Sequence, residues 1–175
     1  MTNDFSYGLN ASAREYDGKH KYIRITDIDD SSRMFSKKHL TSPNIDFTSN
    51  RDYLLHVGDV LFARTGASTG KTYMYISEDG CTYFAGFLIR GRVNSNYDIN
   101  FFFQTTLTDS FKDFVKITSQ RSGQPGINSK EYGNYFLHVP EKNEQIEIGK
   151  LLNKIDKLLA ANQRQQKKPW KRGPP

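Results

Sequence analysis

The chain has one cysteine, Cys81, in 175 residues. No disulfide framework can form, which points to a reducing compartment. A single cysteine beside a strand-like stretch reads as a small apolar filler. No apolar run reaches the roughly 18 residues that a membrane-crossing helix needs. The opening Met-Thr-Asn-Asp-Phe lacks the basic and apolar regions of a signal peptide. A cytoplasmic protein with no membrane partner is expected.

Catalytic constellations are equally sparse. His20, His39, His56 and His138 are scattered without metal-ligand spacing, so no metal site is expected. No glutamate has a lysine two places on, the pair with which many restriction nucleases hold metal. The only Pro-Pro is 174–175, which excludes the Asn- or Asp-Pro-Pro-aromatic motif of amino-methyltransferases. No cofactor is called for.

What is present is aromatic and basic. Hydrophobic content is only 36%, yet 12 phenylalanines and 10 tyrosines can fill a core. The formal charge of +6 favours a polyanionic partner. The length suits one domain with an appended element.

The most informative stretch is Gly58-Asp-Val-Leu-Phe-Ala-Arg-Thr-Gly-Ala-Ser-Thr-Gly-Lys-Thr72. It imitates a P-loop, which needs Gly, four residues, then Gly-Lys-Ser/Thr. Gly70-Lys71-Thr72 is in place, but the residue five before Gly70 is Thr65, and Gly66 comes one place too late. Gly66-Ala-Ser68-Thr-Gly70 also fits the Gly-x-Ser-x-Gly elbow of hydrolases. The elbow needs a helix after it, whereas Thr72-Tyr-Met-Tyr-Ile is β-like. Glycines shaping a strand–turn–strand loop are the simpler reading.

Along the chain, residues 1–21 read as a polar loop or arm. Tyr22–Thr26 alternates like a short strand with Ile23 and Ile25 on one face. Residues 29–56 read as loops and turns, and Val60–Ala63 as a buried strand. Thr72–Ser77 and Tyr83–Arg92, separated by a Glu-Asp-Gly turn, suggest a hairpin-like pair. Asp98 can cap a helix, and Ile99, Phe102, Phe103, Leu107, Phe111, Phe114 and Val115 follow at helical spacing as a core-facing stripe. Residues 118–130 return to a loop, and Tyr135–Val139 reads as a last strand ended by Pro140. Beyond it, Ile148, Leu151, Leu152, Ile155, Leu158 and Leu159 recur at three- and four-residue steps. Ile148 and Ile155 fall at a, and Leu151 and Leu158 at d, of two heptads. Such a helix is marginal alone and needs a partner. An interhelical seam is preferred over packing on its own domain, because the stripe runs on past Pro140.

Four blocks, in order, carry a family resemblance. They are Tyr22-Ile-Arg-Ile-Thr-Asp-Ile28, Gly58–Lys71, Ser119-Gln-Arg-Ser-Gly-Gln-Pro-Gly-Ile-Asn128, and Val139-Pro140 followed by Asn143-Glu-Gln-Ile146 and the Leu/Ile-rich helix. Over roughly residues 5–165 the chain resembles the target recognition domain in specificity subunits of Type I restriction-modification systems. The resemblance implies a non-catalytic protein that recognises one half of a bipartite DNA target and docks the modification subunits there. S-adenosylmethionine and ATP would belong to those partners. Full-length specificity subunits resemble two such units in tandem, joined by antiparallel helices; this chain has one, so a half-length or truncated form is expected.

The polar loops carry groups suited to DNA. Lys19, Lys21 and Arg24 lie near the first strand, and Arg33, Lys37 and Lys38 in the next loop. Arg64, Thr65, Ser68 and Lys71 lie in the glycine loop, and Arg121, Ser122, Gln124, Asn128 and Lys130 in the late loop. Lysine and arginine neutralise phosphates; Arg reads guanine, and Asn or Gln reads adenine, in the major groove. Residues 29–56 and 72–92, between the recurring motifs, are candidates for base reading.

The reading is an α/β protein. A twisted mixed β-sheet recognition domain with flanking helices (1–140) is followed by a long spacer and dimerisation helix (141–168) and a disordered tail (169–175). Expected partners are double-stranded DNA, the Type I methyltransferase (modification) subunits and, through them, the restriction subunit. A second copy or another half-subunit would pair through Ile148, Leu151, Leu152, Ile155, Leu158 and Leu159. The alternatives are a small nucleotide-binding or hydrolytic enzyme using the Gly66–Thr72 loop, and a defective interaction-only remnant.

Overall fold

The apolar run at Val60–Ala63 lies at the middle of a sheet and is buried on both faces. The structure, a computed structural model, describes Thr2 and residues 4–166. The expected tail and the end of the expected spacer helix lie outside these residues. Within them the strands are β1 (Asp4–Tyr7), β2 (Ala13–Glu15), β3 (Lys21–Ile23), β4 (Thr41–Pro43), β5 (Asp59–Ala63), β6 (Thr72–Met74), β7 (Thr82–Phe84) and β8 (Leu88–Arg92). The helices are α1 (Ile99–Thr105), α2 (Asp109–Thr118), α3 (Ser129–Gly133) and α4 (Lys142–Gln166).

The main sheet has the order β1-β8-β5-β6 and is antiparallel throughout. β2 pairs with β4 antiparallel, and β3 pairs with β7 in parallel. The fold is therefore mixed α/β. Successive side chains of a strand point to opposite faces, and β5 divides its residues accordingly. Leu61 and Ala63 join a cluster with Ile23, Ile28, Phe35, Tyr73 and Leu88. Val60 and Phe62 join Ile89, Phe102, Phe111, Ile127 and Tyr132 on the other face. Cover on both faces explains the unbroken apolar run.

Several local expectations are corrected. Residues 1–21 are not simply an arm: they supply β1 and β2, and β1 forms the sheet edge against β8. The strand at Tyr22 stops at Ile23, and Ile25–Asp27 forms a 3-10 turn instead. Thr72–Ser77 and Tyr83–Arg92 do not form a hairpin. β6 pairs with β5, and β7 crosses to β3. The stripe from Ile99 to Val115 is two helices, each with a side-chain cap: Asp98 accepts the Phe101 N–H and Thr108 accepts the Phe111 N–H. Tyr135–Val139 is irregular rather than a strand.

α4 lies against α1 by its polar side. Gln145, 2% exposed, accepts the Asp98 N–H at 3.1 Å and donates to the Pro140 carbonyl at 2.8 Å. One turn on, a Cβ on Gly149 would lie 2.5 Å from Asp98 Oδ1 and 2.9 Å from the Phe101 nitrogen, so glycine permits the approach. Gln104 donates to Asp156 at 2.6 Å further along. The apolar stripe is turned outward: Leu151, Ile155, Leu158 and Leu159 are exposed, while Ile148 and Leu152 are half-buried.

Candidate nucleic-acid interface

The glycine loop is a tight turn whose backbone donors are used internally. Gly66 N–H donates to the Pro125 carbonyl, Thr69 N–H to Gly66, Gly70 N–H to Ala63, and Lys71 N–H to Ser68. A phosphate cradle needs such donors free and convergent. Gly70 has φ +86°, and a Cβ there would lie 2.6 Å from the Val115 side chain. The turn is therefore both left-handed at that point and packed against α2. Tyr132 braces it from below, donating to the Ala63 carbonyl at 2.7 Å and accepting the Gly70 N–H at 3.2 Å. β6 follows it, not a helix, so the hydrolase elbow is absent as well.

Lys71 points inward. It is 8% exposed, and its Nζ lies 3.1 Å from the Ile28 carbonyl, 3.4 Å from that of Ile25 and 2.7 Å from Asp30 Oδ1. A buried ammonium is tolerated because it is paired and hydrogen-bonded. The residue offered as a phosphate contact instead fastens the 25–30 turn to the sheet, and we do not carry it forward as a DNA contact.

The structure joins the glycine turn to two of the expected loops. On one side Thr65 bridges to Gly126, and Ile127 N–H donates to the Arg64 carbonyl at 2.9 Å. That contact carries the late loop, in which Ser122, Gln124 and Lys130 are exposed. Asn128 caps α3, accepting the Glu131 N–H at 2.9 Å. Arg121 donates to the Thr118 and Gln120 carbonyls and pairs with Glu131. On the other side Ser68 borders a cavity of about 410 Å³ with Thr26, Asp29 and Ser36 of the first loop.

The first-loop cations are partly committed. Arg24 forms a two-pronged pair with Asp27 at 2.8 and 3.0 Å. Lys37 reaches the buried Asp79 carboxylate at 2.8 Å, and Lys21 the Asp79 carbonyl at 2.7 Å. Arg33 is half-buried with φ 57°, a left-handed conformation in the turn that follows Asp29. Lys38 is exposed, and Lys19 is exposed beside Asp17, apart from the glycine turn. Among the described residues, no cluster of three His, Cys, Asp or Glu is arranged to hold a metal.

Sequence reasoning missed Tyr7 and Phe87. The Arg64 guanidinium lies 4.9 Å from the centre of the Tyr7 ring. The Tyr7 hydroxyl accepts hydrogen bonds from the Ser129 hydroxyl at 3.3 Å and the Ser129 backbone N–H at 3.2 Å, and these, the hydroxyl first, lower its pKa from the usual phenol value. Phe87 is 65% exposed at the turn between β7 and β8, with its carbonyl accepting the Arg64 N–H at 3.1 Å. Tyr7 sits in the stretch that read as an arm, and Phe87 inside a strand that does not extend to it, so neither carried a signal.

The chain matches the Type I restriction modification DNA specificity domain over residues 8–168. No curated protein matches it. A solved chain described under the structural basis of complex assembly and conformational transition of the type I R-M system aligns with TM-score 0.67 and 16% identity. The alignment covers 93% of this chain and 38% of that one. The HsdS subunit from Thermoanaerobacter tengcongensis aligns with TM-score 0.63 and 16% identity, covering 95% of this chain and 38% of that one. This chain thus spans about 38% of the length of each solved relative. At that identity the structures establish the shared fold, and the match over most of the chain establishes the family. The chain belongs to the DNA specificity domains of Type I restriction-modification systems, as a single target recognition domain.

Proposed function

We propose that this chain is a non-catalytic specificity subunit that reads one half of a bipartite DNA target and docks modification subunits on it. The restriction subunit would join through them, in the cytoplasm. One observation carries the reading: the glycine turn is stitched to the late loop through Gly66–Pro125 and Thr65–Gly126, and to the first loop through Lys71 and Ser68. Loops far apart in sequence thereby become neighbours and offer arginine, lysine, hydroxyl and amide groups. Those groups suit phosphate and base-edge contacts. The residues we assign to DNA are Arg33, Lys38, Arg64, Thr65, Ser68, Arg121, Ser122, Gln124, Asn128 and Lys130. Residues 1–140 would form the recognition domain and 141–168 the spacer.

A second observation supports pairing. α4 turns Gln145 and Gly149 to its own domain and Leu151, Ile155, Leu158 and Leu159 away from it. The occupant we propose for that stripe is the matching helix of a second copy or another half-subunit, with modification subunits alongside. A two-fold pair would favour a symmetric, interrupted target.

The test is duplex binding by the full chain, alone and with modification subunits. Selection from random duplexes should recover one short sequence, with affinity falling steeply as salt rises. Binding without sequence preference in the complete assembly would overturn the reading.

A further inference from the structure

Beside the glycine turn lies a second cavity, of about 400 Å³, lined by Tyr7, Leu9, Asn10, Arg64, Gly86 and Phe87 among others. Its size is that of a small-ligand site. Backbone hydrogen bonds hold its walls. Gly86 N–H donates to the Leu9 carbonyl at 2.7 Å, Leu88 N–H to Ala85 at 2.8 Å, and Arg64 N–H to Phe87 at 3.1 Å. The backbone bearing Phe87 is therefore held on both sides while the residue stays 65% exposed. Tyr7 is 41% exposed, its hydroxyl held by Ser129 and its ring flanked by the Arg64 guanidinium.

We propose that Phe87, Tyr7 and Arg64 form a site for one nucleobase turned out of the stack of the bound DNA. The inference rests on the DNA-recognition reading above. Aromatic faces with an adjacent guanidinium are the chemistry that binds a base by its π-face. Asn10, exposed on the rim, supplies a donor and an acceptor for the base edge. Charge and position favour nucleic acid over an apolar peptide. Arg64 lies in the wall, and Ser129, which holds Tyr7, is the first residue of the helix that the late loop enters. Unstacking a base from duplex opposes binding, and stacking on the two rings offsets it.

The experiment places 2-aminopurine in turn at each position of the duplex that the full chain selects from a random library. With the wild type, one position should change its fluorescence on binding. Phe87→Ala should abolish that change and weaken binding about tenfold. The salt dependence should stay the same, because no charge is removed. Phe87→Trp should restore both, and circular dichroism should match the wild type for each variant. A wild type that selects no sequence overturns the recognition reading and this site together. Sequence selection without a responding position, or a response that persists in Phe87→Ala, overturns this site alone. So does a Phe87→Ala variant that loses only modification subunits, which would assign the aromatic pair to a protein partner.

Discussion

At the glycine turn a lysine is buried, and on α4 leucines are exposed: Lys71 is 8% exposed, whereas Leu151 and Leu158 are each 59% exposed. Both reverse the usual preference, and for the same reason: burial follows partners rather than residue type. The Lys71 ammonium finds two carbonyls and a carboxylate at the foot of the first loop. Leu151, Leu158 and Leu159 stay exposed, because α4 meets α1 through Gln145, Gly149 and Asp156, with Ile148 and Leu152 half-buried. A reversed lysine is thus a structural fastening, complete within the chain. A reversed leucine stripe is the exposed apolar surface to which we assign a partner helix.

The sharpest way to break this comparison is to charge the stripe. Burying a leucine or isoleucine contributes roughly 1.5–3 kcal/mol, so Leu151→Glu with Leu158→Glu should abolish association altogether. Light scattering reads the assembly and circular dichroism the fold. We expect loss of assembly with an unchanged spectrum. A double variant that unfolds would put the stripe in the domain's own core. A wild type that stays monomeric at high concentration, with modification subunits present, would leave the stripe without the occupant we assign.

Next come the fastenings. Lys71→Ala leaves the Ile28 carbonyl without its donor, while the Ile25 carbonyl keeps the Ile28 N–H; the loss should cost about 1–3 kcal/mol in urea denaturation. Asp30→Asn should cost less than about 1 kcal/mol, because that carboxylate is 88% exposed. Equal effects from the two would mean that the ion pair, not the carbonyl bonds, secures the turn. Calorimetry with Mg-ATP should show no saturable binding to the wild type; binding that Lys71→Ala removes would restore a nucleotide site. Gly149→Ala must push α4 away from Asp98, at about 1–3 kcal/mol. Its effect should appear as loss of the α4 contact, while the sheet core stays protected from hydrogen exchange.

How much of this was legible varies with the range of the interactions. The buried β5 run, the Asp98 cap and the α4 stripe announce themselves through local pattern, since strand and helix periodicity are written in neighbouring residues. The β3–β7 pairing was not legible. It joins Tyr22 to Tyr83 across sixty positions, and the tempting local alternative, a hairpin around Glu-Asp-Gly, lost to it. At the candidate interface, the spacing of Gly66 and Gly70 argued against a P-loop, and the backbone donors of the turn are bonded within the protein. Nothing in the sequence told that Lys71 would be buried among carbonyls, or that Lys37 and Arg24, still partly exposed, would pair with Asp79 and Asp27. Phe87 was hidden because an exposed aromatic between two short strands looks the same as a buried one inside a long strand.

The smallest effect tests the other end of the turn that Lys71 fastens. Asp29 accepts hydrogen bonds from the Ser32 and Ser31 backbone N–H groups at 2.8 and 3.1 Å, and from both hydroxyls. These bonds, the Ser32 backbone first, hold its carboxyl well below the usual carboxylate range. A folded pKa below the unfolded value means stability that is present above the unfolded pKa and lost as pH falls toward the folded one. The group is exposed, so the contribution should be only tenths of a kcal/mol. Asp29→Asn keeps an acceptor oxygen but removes the titration. The stability difference between wild type and Asp29→Asn should be constant from about pH 7 to about pH 5 and shrink toward about pH 3. Protection of the Ser31 and Ser32 amides, taken relative to their intrinsic exchange rates at each pH, should fall over the same interval in the wild type alone. A difference that holds its size through acidification would mean that Lys71 secures the turn without help from its exposed end.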